Sequence, residues 1–185
     1  MQNAGLSCDA LTHIVITHHD HDHMGGLAAL RRKHPSVKVV AHRAEAPYIA
    51  GEKKPLRLAQ AEALQPTLPD EQQAFGEAFI DALKKVEPVP VDMLVADGDT
   101  FGWCGGCRII HTPGHTPGHI SLYLKSHSTV IAGDAAVVED GRLAIANPSF
   151  ASDLTVAEQS LNKLLALNTA AYVCYHGGVW RRPGH

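Results

Sequence analysis

Short apolar runs, each ending against a cluster of His, Asp and Gly, recur along this chain. Residues 13–16 (His-Ile-Val-Ile) form a β-branched run that predicts a buried strand, and it leads straight into the polar segment 17–23. Residues 24–34 predict a helix that Pro35 stops. Residues 37–41 predict a second strand, and residues 44–50 a short helix closed by Gly51. The character changes over 52–91, which is rich in Ala, Gln, Glu, Lys and Pro. That segment predicts a lid-like insertion with a helix over 70–86, punctuated by Pro66, Pro69, Pro88 and Pro90. Short strands follow over 108–111, 120–125 and 129–132, with turns at Asp97-Gly98-Asp99 and Gly105-Gly106. Asp153 or Thr155 caps a helix to about residue 168, and 171–175 is the last strand. Polar motifs thus stand just past strand ends, where a sheet can hold several side chains around a common cleft.

Composition narrows the classes. At 185 residues the chain fits one domain, 1–185, with a core of its own. A net charge of −3 implies no basic patch for nucleic acid. No stretch approaches the ~18 apolar residues of a membrane span. The opening MQNAGLSCDALTH has neither the basic nor the apolar region of a signal peptide. Four cysteines are too few for a disulfide scaffold at this size, so a reducing cytoplasm is the expected location. Histidine is the outlier, with 13 copies. They are unevenly spread, since residues 17–23 hold His18, His19, His21 and His23, and residues 111–119 hold His111, His115 and His119.

Those clusters carry the chemistry. Imidazole nitrogen and carboxylate oxygen are the usual ligands of catalytic zinc, and the loop Thr17-His18-His19-Asp20-His21-Asp22-His23 can feed two metals. A solvated His-rich loop is the plain alternative. His111-Thr-Pro-Gly-His115-Thr-Pro-Gly-His119 is a rigid, sharply folded loop, because its prolines fix φ and its glycines permit tight turns. Gly133-Asp134 and Tyr175-His176-Gly177-Gly178 follow two further strands. Cys104-Gly105-Gly106-Cys107 lacks a second pair to complete a zinc site and is expected to be a hairpin tip. Trp103, Tyr48 and Phe75 are candidates to line a substrate cleft or simply to pack. His13, His34, His42, His127 and His185 have no motif around them.

The four elements together, in this order, resemble the metallo-β-lactamase superfamily of binuclear metallohydrolases, from about residue 11 to residue 178. The resemblance implies an α/β (α+β) fold, a four-layer α/β/β/α sandwich. It implies two divalent metals, zinc first with manganese or iron as alternatives. His18, Asp20 and His115 would bind the first metal, and Asp22, His23 and His176 the second, with Asp134 bridging. His111 and His119 would support the ligands by hydrogen bonds. Here Asp20 stands where the family's His-x-His-x-Asp-His motif has its second histidine, and a carboxylate favours harder metals than imidazole does. The implied reaction is hydrolysis of an ester, lactone or thioester of a small metabolite by a metal-bridging hydroxide, with Asp22 as ligand and catalytic group. A β-lactamase or phosphodiesterase of the same fold, and a non-catalytic metal-binding remnant, are the alternatives. In the family the first motif follows several strands, whereas here it begins at His18. The fold is therefore expected to lack its opening strands, through truncation, a misplaced start or a shortened form. The exposed sheet edge would then favour a homo-oligomer. The expected partner is otherwise a small-molecule substrate, with neither nucleic acid nor membrane.

Overall fold

The β-branched triplet His13–Val15 forms the first strand, β1, in a computed structural model that describes residues 7–184. His185 and the first six residues of the opening segment lie outside the described residues. Two compact units are formed. One comprises the chain up to Ala41 with Ala46–Leu94, and the other His42–Glu45 with the chain from Val95 onward.

In the first unit, β1 pairs in parallel with β2 (Lys38–His42), Ile14 opposite Val39. Parallel strands need a crossover, and here it is helical. The crossover is not the single helix expected over 24–34. It divides into α1 (His21–Met24) and α2 (Leu27–Lys33) at Gly25 and Gly26. Gly25 packs so close to the His21 carbonyl that a Cβ there would stand 2.5 Å from its oxygen. After α3 (Ala46–Ile49) come two helices of the 52–91 segment, α4 (Leu56–Leu64) and α5 (Asp70–Lys84). α5 was expected from the sequence and α4 was not, although Pro55 immediately before it is a start signal. The two pack through Leu58, Ile80 and Leu83. β3 (Met93–Val95) completes a sheet of order β1-β2-β3. Its core is Ile16, Met24, Leu27, Val39, Ala41, Ile49 and Val89. Arg31 clamps Asp92 through both guanidinium nitrogens, and the Asp92 carboxylate also accepts the Val39 N–H at 2.8 Å.

The second unit holds β4 (Thr100–Phe101), β5 (Cys107–His111), β6 (Ile120–Leu124) and β7 (Thr129–Gly133). A small hairpin, β8 (Val137–Glu139) and β9 (Arg142–Ala144), precedes α6 (Leu154–Leu165), β10 (Ala171–Cys174) and β11 (Val179–Arg181). Asp140 and Gly141 turn that hairpin, both at positive φ, the two-residue turn that matches strand twist. α6 is capped as expected by Asp153, whose side chain accepts the Val156 N–H. The main sheet runs β11-β10-β7-β6-β5-β4, antiparallel except for β10 beside β7. Ile110, Val130, Ala132, Leu164 and Tyr172 form its core.

This topology gathers the motifs. β7 and β10 run in parallel and finish side by side, with Cys174 opposite Gly133 across a register shift. β6 begins at that same end, and β5 finishes there, with His111 opposite Ile120. Asp134, His176 and the 111–119 loop therefore share one end of one sheet.

Candidate metal centre

In the first unit the chain leaves β1 with the Ile16 N–H bonded to the Val40 carbonyl, which points residues 17–20 away from the strand end. His18, His19 and Asp20 are buried. The His18 Nδ1 contacts the Thr17 hydroxyl at 3.1 Å, which leaves Nε2 to face Asp20, 3.8 Å from Oδ2. α1 then carries Asp22 and His23, whose Oδ2 and Nε2 lie 3.5 Å apart. The His18 and His23 rings stand 4.0 Å apart between centroids.

His19, to which the resemblance assigns no ligand role, has a task. Its Nε2 accepts the Leu56 N–H at 3.2 Å, and its ring stacks on Tyr48. A nitrogen so engaged is not available to a metal. Tyr48 itself lines an open cavity of about 400 Å³ with Met24, Leu58, Leu83 and Val86. Phe75 is 75% exposed and stacks on Phe79, while Trp103 stacks on Phe101.

In the second unit the Asp134 Oδ2 lies 3.6 Å from the His115 Nε2 and 3.6 Å from the His176 Nε2. The 111–119 loop that presents His115 is built tightly. Gly114, at φ +124°, packs against the Ala157 backbone where a Cβ would collide, and Gly177 beside His176 does the same against Val138. Glu45, fully buried, accepts the Thr116 hydroxyl and the Gly118 N–H, each at 2.7 Å, on one oxygen.

His119 holds the backbone of Asp134. Ser121 donates its one hydroxyl proton to the Ala132 carbonyl at 2.9 Å. It must therefore accept from Thr112, at 3.0 Å, and Thr112 in turn accepts from the His119 Nδ1–H at 2.9 Å. That leaves Nε2 with a bare lone pair, which is where the Asp134 N–H donates, at 2.9 Å. The circuit closes on the end of β7 and fixes one tautomer. His111 braces the loop differently. Its Nε2 meets the Pro117 carbonyl at 3.0 Å, and its ring stacks on His42. Burial, and then the neighbouring His111, hold the His42 imidazole below its ordinary pKa. His42 is thus not the unremarkable residue that the lack of a motif suggested.

The donor set fits divalent metals. Two ligands of one tetrahedral zinc, each ~2.0–2.2 Å from the ion, stand roughly 3.3–3.6 Å apart. The Asp22–His23, Asp134–His115 and Asp134–His176 separations of 3.5, 3.6 and 3.6 Å match that spacing, and exceed the ~3.2 Å of an ordinary hydrogen bond. Mixed nitrogen and oxygen donors suit zinc, iron and manganese. The cysteines contribute nothing here. Cys104 is exposed at the β4–β5 turn and Cys107 is buried on β5, its thiol pKa raised by burial, as a hairpin tip requires.

The chain belongs to the metallo-beta-lactamase superfamily, whose family model matches residues 2–176. The fold is the mixed α/β fold of that superfamily. The chain is 32% identical to the "Probable metallo-hydrolase YflN" of Bacillus subtilis, over 89% of this chain and 63% of that protein. It is also 32% identical to a hydroxyacylglutathione hydrolase of Brucella anthropi, over 90% of this chain and 47% of that one. Among solved structures, a metallo-beta-lactamase family protein of Thermus thermophilus aligns with a TM-score of 0.74 at 22% identity, covering 97% of this chain and 59% of that one. TTHA1623, solved in a di-iron-bound form, aligns at 0.64 with 25% identity, covering 97% of this chain and 75% of that one. The chain thus spans from about half to three quarters of the length of these relatives. No helix among the described residues is long and apolar enough to cross a membrane.

Proposed function

We propose that this protein is a binuclear metal-dependent hydrolase acting on a thioester, with esters and lactones as related substrates. The observation that carries the reading is the placement of Asp134, one carboxylate oxygen of which lies 3.6 Å from both His115 and His176, as a bridging ligand would. The hydroxyacylglutathione hydrolase relatives favour the thioester, and the di-iron neighbour favours two metals.

In this reading His18, Asp20 and His115 would hold one ion, Asp22, His23 and His176 the other, and Asp134 would serve both. Two such ions, when bound, would lower the pKa of water and polarise the scissile carbonyl. The chain's own residues do the rest. Asp22 presents Oδ2 to His23 and Oδ1 to His21, 3.6 Å away. Oδ1 therefore lies away from the ligand pair and would take up the proton that the attacking water gives up and return it to the departing thiolate. His119 holds the Asp134 backbone, and Glu45 holds the loop of His115, so neither ligand has to reorganise during the reaction.

The test is elemental analysis of the purified protein, combined with hydrolysis of a panel of thioesters, esters, lactones, phosphodiesters and β-lactams. Two metals per chain and thioester turnover abolished by Asp134→Ala are expected. Metal binding with no turnover on any member would replace the enzyme with a metal-binding module. Turnover confined to phosphodiesters or β-lactams would replace the substrate class.

A further inference from the structure

We infer that Arg57 is the matched counterpart of the aspartate at position 20: its guanidinium fixes the orientation in which the Asp20 carboxylate faces the first metal's ligands. The inference rests on the metal reading just given. Arg57 stands on α4, 37 residues along the chain from Asp20, and its Nη2 donates to Asp20 Oδ2 at 2.9 Å. Both side chains are buried, 6% and 7% exposed. The Arg57 Nη1 donates to the Gln60 Oε1 at 2.7 Å, which holds the guanidinium plane in place. The preceding residue of α4 docks as well, through the Leu56 N–H to the His19 Nε2. Two consecutive residues of the helix thus engage two consecutive residues of the ligand loop.

The acceptor count explains why the ligand is a carboxylate. A neutral imidazole has one acceptor nitrogen, which cannot serve both a guanidinium and a metal. A carboxylate has two oxygens and can serve both. With Oδ2 held by Arg57 and turned toward the His18 Nε2, 3.8 Å away, the carboxylate faces the first metal's ligands in one orientation. A buried guanidinium is balanced by an anion, and an imidazole at position 20 would take from Arg57 the carboxylate it pairs with. Asp20 and Arg57 therefore form one functional pair, and the 52–91 segment is a working part of the first metal's site. Arg57 is a positioning residue that acts through Asp20.

The experiment measures metal binding directly. Arg57→Met, Arg57→Lys, Asp20→His and the double variant Asp20→His/Arg57→Met are compared with the unaltered protein. Zinc affinity is measured by chelator competition, and each site's ligand field by the visible spectrum of the cobalt-loaded protein. Arg57→Met is expected to weaken one of two zinc ions by about 10–100-fold, the effect of removing a ligand's hydrogen-bond partner. The second ion and its cobalt bands should not change. Arg57→Lys should restore part of the loss. Asp20→His should bind the first ion more weakly than the double variant does, by about tenfold, because the double variant removes the buried cation that an imidazole cannot balance. If Arg57→Met does not fold, the comparison of Asp20→His with the double variant decides. Two ions bound by Arg57→Met within twofold of the unaltered protein would overturn the pairing alone. So would a double variant no better than Asp20→His. An unaltered protein that binds no metal would overturn the metal reading, and the pairing with it.

Discussion

Replacing Thr112 by Val tests the circuit behind Asp134. The shape of the side chain is nearly kept, but the hydroxyl that accepts from the His119 Nδ1–H and donates to Ser121 is lost. Thr112 and His119 are both buried, so water is in no position to replace it. If the tautomer stays, the Nδ1–H loses this acceptor. If it switches, an Nε2–H faces the Asp134 N–H, donor against donor. Either outcome costs about 1–3 kcal/mol, the desolvation penalty of an unsatisfied buried group. At about 2–4 °C per kcal/mol for a chain of this size, a loss of about 2 kcal/mol lowers Tm by about 4–8 °C. Because the lost contact supports the backbone of Asp134, the proposed bridging ligand, zinc affinity should also fall about tenfold. Thermal denaturation of the metal-stripped protein and chelator competition read the two effects separately. Thr112→Ser keeps the hydroxyl and should retain the affinity. A Thr112→Val variant within about 0.5 kcal/mol of the parent, with unchanged zinc affinity, would refute the circuit.

Three further outcomes follow from the same structure. Glu45→Ala removes the acceptor for both the Thr116 hydroxyl and the Gly118 N–H, and should cost about 2–3 kcal/mol in denaturant unfolding while weakening zinc binding at His115. Asp92, held down to about 2 by its bond to Arg31 and by the Val39 N–H, should show a pH signature. Its folded pKa is depressed, so its contribution is full above the ordinary carboxylate range and is lost as pH falls from about 4 through about 2. Asp92→Asn should flatten that part of the stability profile, by about 1–2 kcal/mol after allowance for solvent screening. In native thiol titration at pH 8, exposed Cys104 should react first. Cys107 and Cys174 should wait for unfolding, since burial raises both thiols, Cys174 to about 11.

Local pattern carried much of this protein. The apolar runs at 108–111, 120–125, 129–132 and 171–175 are strands within a residue or so, because alternation and β-branching report burial directly. The ligand candidates were legible for the same reason, being polar residues where such runs stop. The β8–β9 hairpin carries a local signal too, since Asp140-Gly141 is a strong turn pair. Helix α4 was hidden by the proline-rich composition around it.

The supporting residues were another matter. Arg57 is an unremarkable helix residue until the chain path brings it within 2.9 Å of Asp20, and Glu45 is one until it meets a loop 71 residues further on. His19 has no place in the implied ligand set and is the acceptor for a helix N-terminus. His119 carries the same chemistry as its neighbour His115; the resemblance implies a supporting role for it, and its distances to Thr112 and to the Asp134 N–H name the partners. Periodicity along a chain states which face of an element is buried. It does not state which distant donor will meet which acceptor there, and a buried polar group takes its role from that partner.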